Sequence, residues 1–549
     1  MAPLKPVRTL YDLSLDSVLE TVHTYVVKRQ GELVKYRKFL IKILHGAIRE
    51  TLIERAVNKY SSNVLDVLDI VELLADSSIK QLQIIIMQHV PGVLSHTGCF
   101  SGQLFSKIDS ANIIGLHKLI VKVQVDLHSN STQIEPLSSV FHCALHRGLA
   151  ANLRVLTLHN AADNQSLKII GKYAKHLTNL DITSSWIVDD VGICDLLLKD
   201  ASNFITAHCV ELDNCEPRAI HALSLFPESQ INKTCETLCE VKIQDTNTSS
   251  ISVLLLLMFA KSLKSLGGFL YFRNIGDAVL SVQSRENAPE SLALTELWDT
   301  QLPYEKLSKI AQYLPKLTTL YTRAACLLPE PNIVPPLTNL TADFDFVQYG
   351  PQFFRFLSCN GASIRRLVLI DQVYSLDLET IAEYCPILEE LTAKVSVDNV
   401  CTSGNTCLKN LKTAKLRITS AATFTWIMKK CYDLLHLEVL LERDNFESNM
   451  FENDVIMQII EDNPRSLKCI RYLSIHMFWN PRYQNFVVSC GNLTIDAAYA
   501  LCSACDNLNV IGELHTWFKV TNKDVIALAA HIKKSNWNVR LRYRDVLYP

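Results

Sequence analysis

Cys502 and Cys505, in the stretch "CSAC", have the spacing of a metal-ligand pair, but a closed zinc site needs a second pair at a fitting distance. The sequence supplies none, and Cys505 recurs at a core position of a repeat described below. His142 and His146 in "HCALH" are placed to share one helix face, yet the glutamate that serves a zinc protease as base is missing between them. No Gly-x-Ser-x-Gly and no phosphate-cradling glycine loop occurs, and "LGGFLYF" (266–272) reads as a tight spot in the backbone. The basic run at 27–38 holds Lys28, Arg29, Lys35, Arg37 and Lys38. It reads as a solvated helix face or loop, with an acidic partner or nucleic acid as the alternative. Nothing assembles a nucleophile, a base and an oxyanion site, so the expectation is a non-catalytic protein with no cofactor and no metal.

The elements that would carry a non-catalytic function must then be read from pattern. The chain has 549 residues, 48% hydrophobic and 20% charged, with a formal net charge of −2. Near-neutral charge gives no reason to expect a nucleic-acid or membrane-surface protein. The ten apolar residues "ISVLLLLMFA" (251–260) fall short of the roughly 20 needed to cross a bilayer and predict a buried core segment. "MAPLKPVRTLYD" lacks the apolar core of a signal peptide, so the 17 cysteines are expected as reduced thiols. The sequons at Asn130, Asn232 and Asn339 then carry no weight. The expected location is cytoplasmic, nuclear or both.

Three stretches share one sixteen-residue template: "LKIIGKYAKHLTNLDI" (167–182), "LSKIAQYLPKLTTLYT" (307–322) and "LETIAEYCPILEELTA" (378–393). The aligned positions are Leu167, Ile170, Gly171, Tyr173, Leu177 and Leu180; Leu307, Ile310, Ala311, Tyr313, Leu317 and Leu320; and Leu378, Ile381, Ala382, Tyr384, Leu388 and Leu391. The first half has helical spacing, and the second alternates like a strand with one buried face. The strand motif Leu-x-x-Leu-x-apolar starts at Leu294, Leu317, Leu337, Ile364, Leu388, Leu411 and Leu434, in steps of 20 to 27 residues. Looser copies start at Leu153, Leu177, Leu238, Ile470 and Leu508. A unit of this kind cannot bury its apolar side alone, so it must stack on copies of itself.

Over roughly 150–549 the chain resembles the leucine-rich-repeat superfamily, and "YCPILEEL" is most similar to the cysteine-containing repeats of F-box/LRR ubiquitin-ligase subunits. The resemblance implies an α/β leucine-rich-repeat solenoid, a horseshoe, with inserted loops or degenerate repeats at 183–290 and around 441–454. Such a fold binds proteins on the concave sheet, whose exposed columns would hold Trp298, Tyr321, Arg323, Arg366, Lys394, Lys415 and Arg417. Trp298 either anchors a partner or packs under a loop.

Residues 1–150 do not follow the template and read as a helical region. "TLYDLSLDSVLETVHTYV" (9–26) opens with Thr9 and Asp12, a capping-box start. Tyr11, Leu15, Val18, Val22 and Tyr25 then form one apolar face, and Leu10, Leu13 and Leu19 a second. Thr9, Leu10, Ser14 and Val18 match the spacing of the BC-box helix in elongin-binding substrate receptors of cullin–RING ligases, with Ser14 where that family usually has cysteine. "LIKILHGAIRETLIERAV" (40–57) resembles the companion helix that selects the cullin, through Leu44, Ile48 and Leu52, with His45 where the family generally has proline. A helix of this kind ahead of leucine-rich repeats is the arrangement of the Zyg/Zer-type receptors. The resemblance implies protein partners: elongin B/C and a cullin, or a Skp1-type adaptor if the region stands in for an F-box, and a substrate protein. A leucine-rich-repeat scaffold whose front segment merely caps the stack is the alternative.

Overall fold

The computed structural model describes residues 9–28, 33–60, 63–88, 106–108, 113–125, 139–200, 202–214, 216–268, 275–285, 288–327, 334–344, 350–397, 406–441, 451–477, 491–517, 520–544 and 546–548. They group into two compact units, Arg8–Asp299 with Lys309–Lys316, and Thr300–Ser308 with Leu317–Pro549. Both are mixed α/β with parallel sheet and many helices.

The amino-terminal unit opens with four helices: α1 (Leu10–Lys28), α2 (Leu33–Ile43), α3 (Gly46–Lys59) and α4 (Val64–Leu74). The cap on α1 is the one its first residues predict. Thr9 Oγ1 accepts the Asp12 N–H at 3.0 Å and donates to the Asp12 carboxylate at 2.6 Å. The buried stripe of α1, however, is Leu15, Leu19, Val22 and Val26, while Tyr11 of the expected face is 58% exposed. Polar contacts accompany that rotation: Arg55 of α3 bridges Asp12 and Asp16, and Lys59 reaches Glu20 at 2.9 Å.

Segment 40–57, expected as one helix, is two. The backbone of His45 is extended (φ −60°, ψ 148°) and its ring accepts the Ala47 N–H at 3.3 Å, so His45 ends one helix and caps the next. Arg37 corrects the reading of the basic run as surface charge. It donates to the carbonyls of Glu72 at 2.8 Å and Ala75 at 2.7 Å, while Arg49 donates to Leu74 at 2.7 Å. Two guanidiniums thus satisfy the orphan carbonyls at the end of α4 and oppose the negative end of its dipole.

Five parallel strands follow in spatial order: β1 (Gln81–Gln88), β2 (Lys118–Val125), β3 (Val155–His159), β4 (Asn179–Asp181) and β5 (Glu240–Lys242). A sixth short strand, β6 (Glu296–Trp298), belongs to the same unit. One hydrogen-bond device recurs. The carbonyl just before a strand accepts two successive N–H groups at the start of the next: Lys80 from His117 and Lys118, His117 from Arg154 and Val155, Arg154 from Thr178 and Asn179, Thr178 from Cys239 and Glu240. The repeating sheet therefore starts at residue 81, ahead of the boundary expected at 150. "QLQIIIMQ" lacks the template leucines and buries Leu82 and Ile84 instead, so the pattern passes over it.

Neighbours β4 and β5 are joined by a long connection carrying the helices Asp190–Leu197, Ser202–Ala207, Cys209–Asp213 and Pro217–Ser224. This is why the spacing loosens after 183. The apolar run forms the helix Ser250–Phe259, buried on nearly every side, with its start tied by Ser249 and Ser252 hydroxyls to Asp190 at 2.7 and 2.5 Å. Among the described residues no helix is long and apolar enough to cross a membrane.

In the carboxy-terminal unit the parallel strands are β7 (Thr319–Arg323), β8 (Asn339–Asp343), β9 (Arg366–Ile370), β11 (Glu390–Ser396), β12 (Thr413–Ile418), β13 (His436–Leu441), β15 (Tyr472–Met477), β17 (Val510–Gly512) and β18 (Arg540–Tyr543), adjacent in that order. A short β10 (Leu376–Asp377) pairs with β11, β14 (Phe451–Glu452) pairs with β16 (Gly491–Asn492), and β19 (Val546–Tyr548) turns back antiparallel on β18. The strand motifs starting at 317, 337, 364, 388, 411 and 434 all supply neighbouring parallel strands of this one sheet. Of the loop expected around 441–454, residues 442–450 lie outside the described residues.

Side-chain size explains the template's small positions. A Cβ on Gly171 would stand 2.3 Å from the Leu196 carbonyl oxygen, so the helix Asn164–Tyr173 meets its neighbour only without one. The residue closing five of the helices is also small and buried: Ala174, Ala260, Cys385, Cys431 and Cys505. Asp163, Asp189, Ser249, Asp377, Ser420, Thr494 and Thr521 cap the helices that follow the strands.

Candidate protein-interaction site

Two surfaces carry the residues that the sequence singles out. On α1, Leu10 is 81% exposed and Ser14 is exposed, while Val18 is half-buried one turn further along the same face. The Ser14 hydroxyl donates to the Leu10 carbonyl at 2.7 Å, so it is turned back onto its own helix. Below it a shallow groove of about 450 Å³ runs along the helix, lined by Ser17, Glu20, Thr21, Thr24, Tyr25 and Lys28. Thr9 is spent on the cap.

Leu44 and Ile48 fall on opposite sides of the break at His45, and both are half-buried. Leu52 is fully buried and belongs to the core. A continuous recognition helix through Leu44, Ile48 and Leu52 is therefore not present.

The second surface is the outward face of the carboxy-terminal sheet. Alternation puts every second residue inside, with Leu320, Leu340, Leu367, Leu391, Ala414 and Leu437 at most 1% exposed. Register then stacks the other residues into columns. One runs Thr319, Asn339, Arg366, Glu390, Thr413, His436 and Tyr472, and the next runs Tyr321, Thr341, Val368, Thr392, Lys415, Glu438 and Ser474. Tyr321, Arg323, Arg366, Lys415 and Arg417 all stand on this face, as the strand motif predicts.

Lys394 departs from that prediction. It is 7% exposed, beneath the turn where Gln372 Oε1 accepts the Lys394 N–H at 2.7 Å. The short β10 covers the end of β11 and removes this lysine from the open face. Arg417 donates to the Gln372 carbonyl at 2.7 Å, so it buttresses the same turn. Trp298 is half-buried on β6 in the amino-terminal unit, and Tyr321 belongs to the other unit.

The face alternates in charge. Arg366 and Glu390 lie 3.2 Å apart, Lys415 and Glu438 3.1 Å, and His436 and Glu438 2.9 Å. Burial alone would raise the Glu438 carboxyl, but hydrogen bonds from His436 and Lys415 outweigh it and hold it below the usual range. At the edge before the strands, Lys412 and then Arg365 hold Glu389 below that range too. His436, Glu438 and Tyr472 were legible as face residues from the motif starts at Leu434 and Ile470, though the sequence reading did not select them.

The set-aside groups have packing roles. Cys502 and Cys505 are buried thiols, and burial pushes each up to about 12. His142 pairs with Asp163 at 3.1 Å, and His146 packs edge-on to Tyr173. Among the described residues no group of three or more His, Cys, Asp and Glu is placed to hold a metal ion.

No family model matches the chain, and no curated protein does. Among solved structures, one described as "Crystal structure of Rad7 and Elc1 complex in yeast" aligns over 96% of this chain and 91% of that chain, with 13% identity and a TM-score of 0.34. A likeness at that score is too loose to bear on fold or function.

Proposed function

We propose that this chain is a non-catalytic protein-binding adaptor built of leucine-rich repeats, serving as the substrate-recognition subunit of a cullin–RING ubiquitin ligase in the cytoplasm or nucleus. In this reading the outer face of α1, with Leu10, Ser14 and Val18, docks an elongin B/C-type core, and the carboxy-terminal sheet face holds the substrate protein. The observation that carries it is the position of Leu10: a large apolar side chain, 81% exposed on a helix whose opposite stripe is fully buried. A helix that packs by one face and presents leucine on the other is suited to lie in a partner's groove. The sheet face supports the second half, because its paired charges and its Tyr321 and Tyr472 rings suit a polar protein partner better than a small molecule.

The test is capture of purified elongin B/C and cullin by the tagged chain, compared with Leu10→Asp. Retention by the parent and loss in the variant is expected. Recovery that is equal in both, or absent in the parent, ends the adaptor reading. Arg366→Glu and Lys415→Glu, with Trp298→Ala and Tyr321→Ala made separately, address the substrate half.

The break at His45 favours a second reading, a leucine-rich-repeat scaffold with no ligase role. The single helix expected to choose a cullin is interrupted there, and α2 and α3 instead serve to close the end of α4.

A further inference from the structure

A cavity of about 300 Å³ lies in the amino-terminal unit where the helix Ser250–Phe259 ends, beside the segment that leads into β6. Its apolar wall includes Leu257, Leu263, Val282 and Leu294, none more than 6% exposed. Two cations, Lys261 and Arg285, line it, and among the described residues no carboxylate side chain does. Lys261 is an exposed residue that approaches Glu228 at 3.9 Å. Arg285 is different. Its Nε is buried with no hydrogen-bond partner, and among the described residues its guanidinium enters no ion pair.

Arg37, by contrast, spends its donors on the Glu72 and Ala75 carbonyls, and Arg49 on the Leu44 and Leu74 carbonyls, Asp76 and Ser78. A half-buried guanidinium whose Nε–H is sealed from water without an acceptor is costly, and burial pushes the Arg285 pKa below its ordinary value. A planar fork of N–H donors is matched by a carboxylate, which accepts two of them in parallel. The cavity stands at the small end of ligand sites, which run from roughly 300 to 1,000 Å³. Its leucine and valine wall would strip water from a dianion without replacing it, but would bury a short aliphatic chain favourably.

We propose that this cavity binds a small monocarboxylate with a short aliphatic tail, the carboxylate against the Arg285 guanidinium and the tail among Leu257, Leu263, Val282 and Leu294. The cavity shares no lining residue with either protein-interaction face, and the proposal would stand whether or not the adaptor reading does.

Calorimetric titration of the full chain with sodium hexanoate at low salt tests it, alongside hexan-1-ol as the uncharged probe of the same chain length. Saturable one-site binding of hexanoate with millimolar or better affinity is expected, at least about tenfold weaker for Arg285→Met and for hexan-1-ol. Lys261→Gln should bind within a few-fold of the parent. Arg285→Met should melt at or above the parent temperature, because it replaces an unpaired cation with an apolar side chain of similar length. No saturable heat with hexanoate, equal hexanoate affinity in Arg285→Met, or equal affinity of the parent for hexan-1-ol each overturns the proposal. The last comparison needs no variant to fold.

Discussion

His436 and Tyr472, register partners on the adjacent strands β13 and β15, stack face to face with ring centroids 4.1 Å apart and planes 7° from parallel. Neither ring is in the core, and Glu438, two residues along the same strand, holds the imidazole at 2.9 Å. A directly opposed aromatic pair on a sheet contributes about 0.5–1.5 kcal/mol beyond its area. Tyr472→Ala should therefore lower the urea unfolding free energy by about 1 kcal/mol, and Tyr472→Phe, which keeps the ring, should not. Equal loss in both variants would show that the hydroxyl, not the stack, carries the effect.

Leu10 and Leu19 lie on the same helix with opposite fates, 81% against 0% exposed. Leu19→Ala should cost about 2–5 kcal/mol, the range for emptying a buried leucine site. Leu10→Asp should stay within about 0.5 kcal/mol, since an exposed helix position loses no packing. Denaturant melts of the two variants decide it. A Leu10→Asp protein as unstable as Leu19→Ala would mean that Leu10 is already covered, and the docking reading of α1 would go with it.

The strand leucines were legible because each is buried by its own repeat: Leu317, Leu388, Leu411 and Leu434 are all at most 1% exposed, and the two-residue alternation holds in β7, β8, β9, β12 and β13. The face residues followed from that register, His436 and Tyr472 included. Lys394 did not, because its burial comes from β10 and Gln372, a local excursion that period-two reasoning cannot see. The rotation of α1 was misread for a related reason. Tyr11 and Leu15 share one apolar face by spacing, but only Leu15 is buried and Leu19 of the other face joins it, in an orientation that also lets Arg55, distant in sequence, bridge Asp12 and Asp16. His45 is an unusual N-cap, so the break it causes has no familiar signature in the chain.

Cysteine chemistry gives a sharp test of the packing account. The thiolate is the nucleophile, so a buried thiol pushed up to about 12 is inert at neutral pH. Cys194, Cys235, Cys385, Cys502 and Cys505 are in that state, whereas Cys143, Cys209 and Cys359 are exposed. Brief alkylation of the folded protein followed by peptide mass mapping should mark the exposed three and spare the buried five until denaturant is added. Rapid labelling of Cys502 or Cys505, or a lower melting temperature on adding a zinc chelator, would show that "CSAC" is more than core.

Asp163 contributes to acid stability: it caps the helix Asn164–Tyr173 by accepting the Ser166 N–H at 2.7 Å and lies 3.1 Å from His142. Burial alone would raise this carboxyl, yet hydrogen bonds from His142 and the Ser166 backbone prevail and its pKa is lowered. An unfolded aspartate titrates near about 3.9, so as pH falls the unfolded chain takes up its proton first. The contribution of Asp163 is thus fully present above that value and is lost as pH drops through the lower, folded one. Asp163→Asn keeps a good cap but cannot titrate, so its unfolding free energy should fall less steeply than the parent's below about pH 4. Parallel pH profiles for the two proteins would mean that the carboxylate's charge adds nothing to the fold at this helix start, and that the Ser166 hydrogen bond alone accounts for the cap.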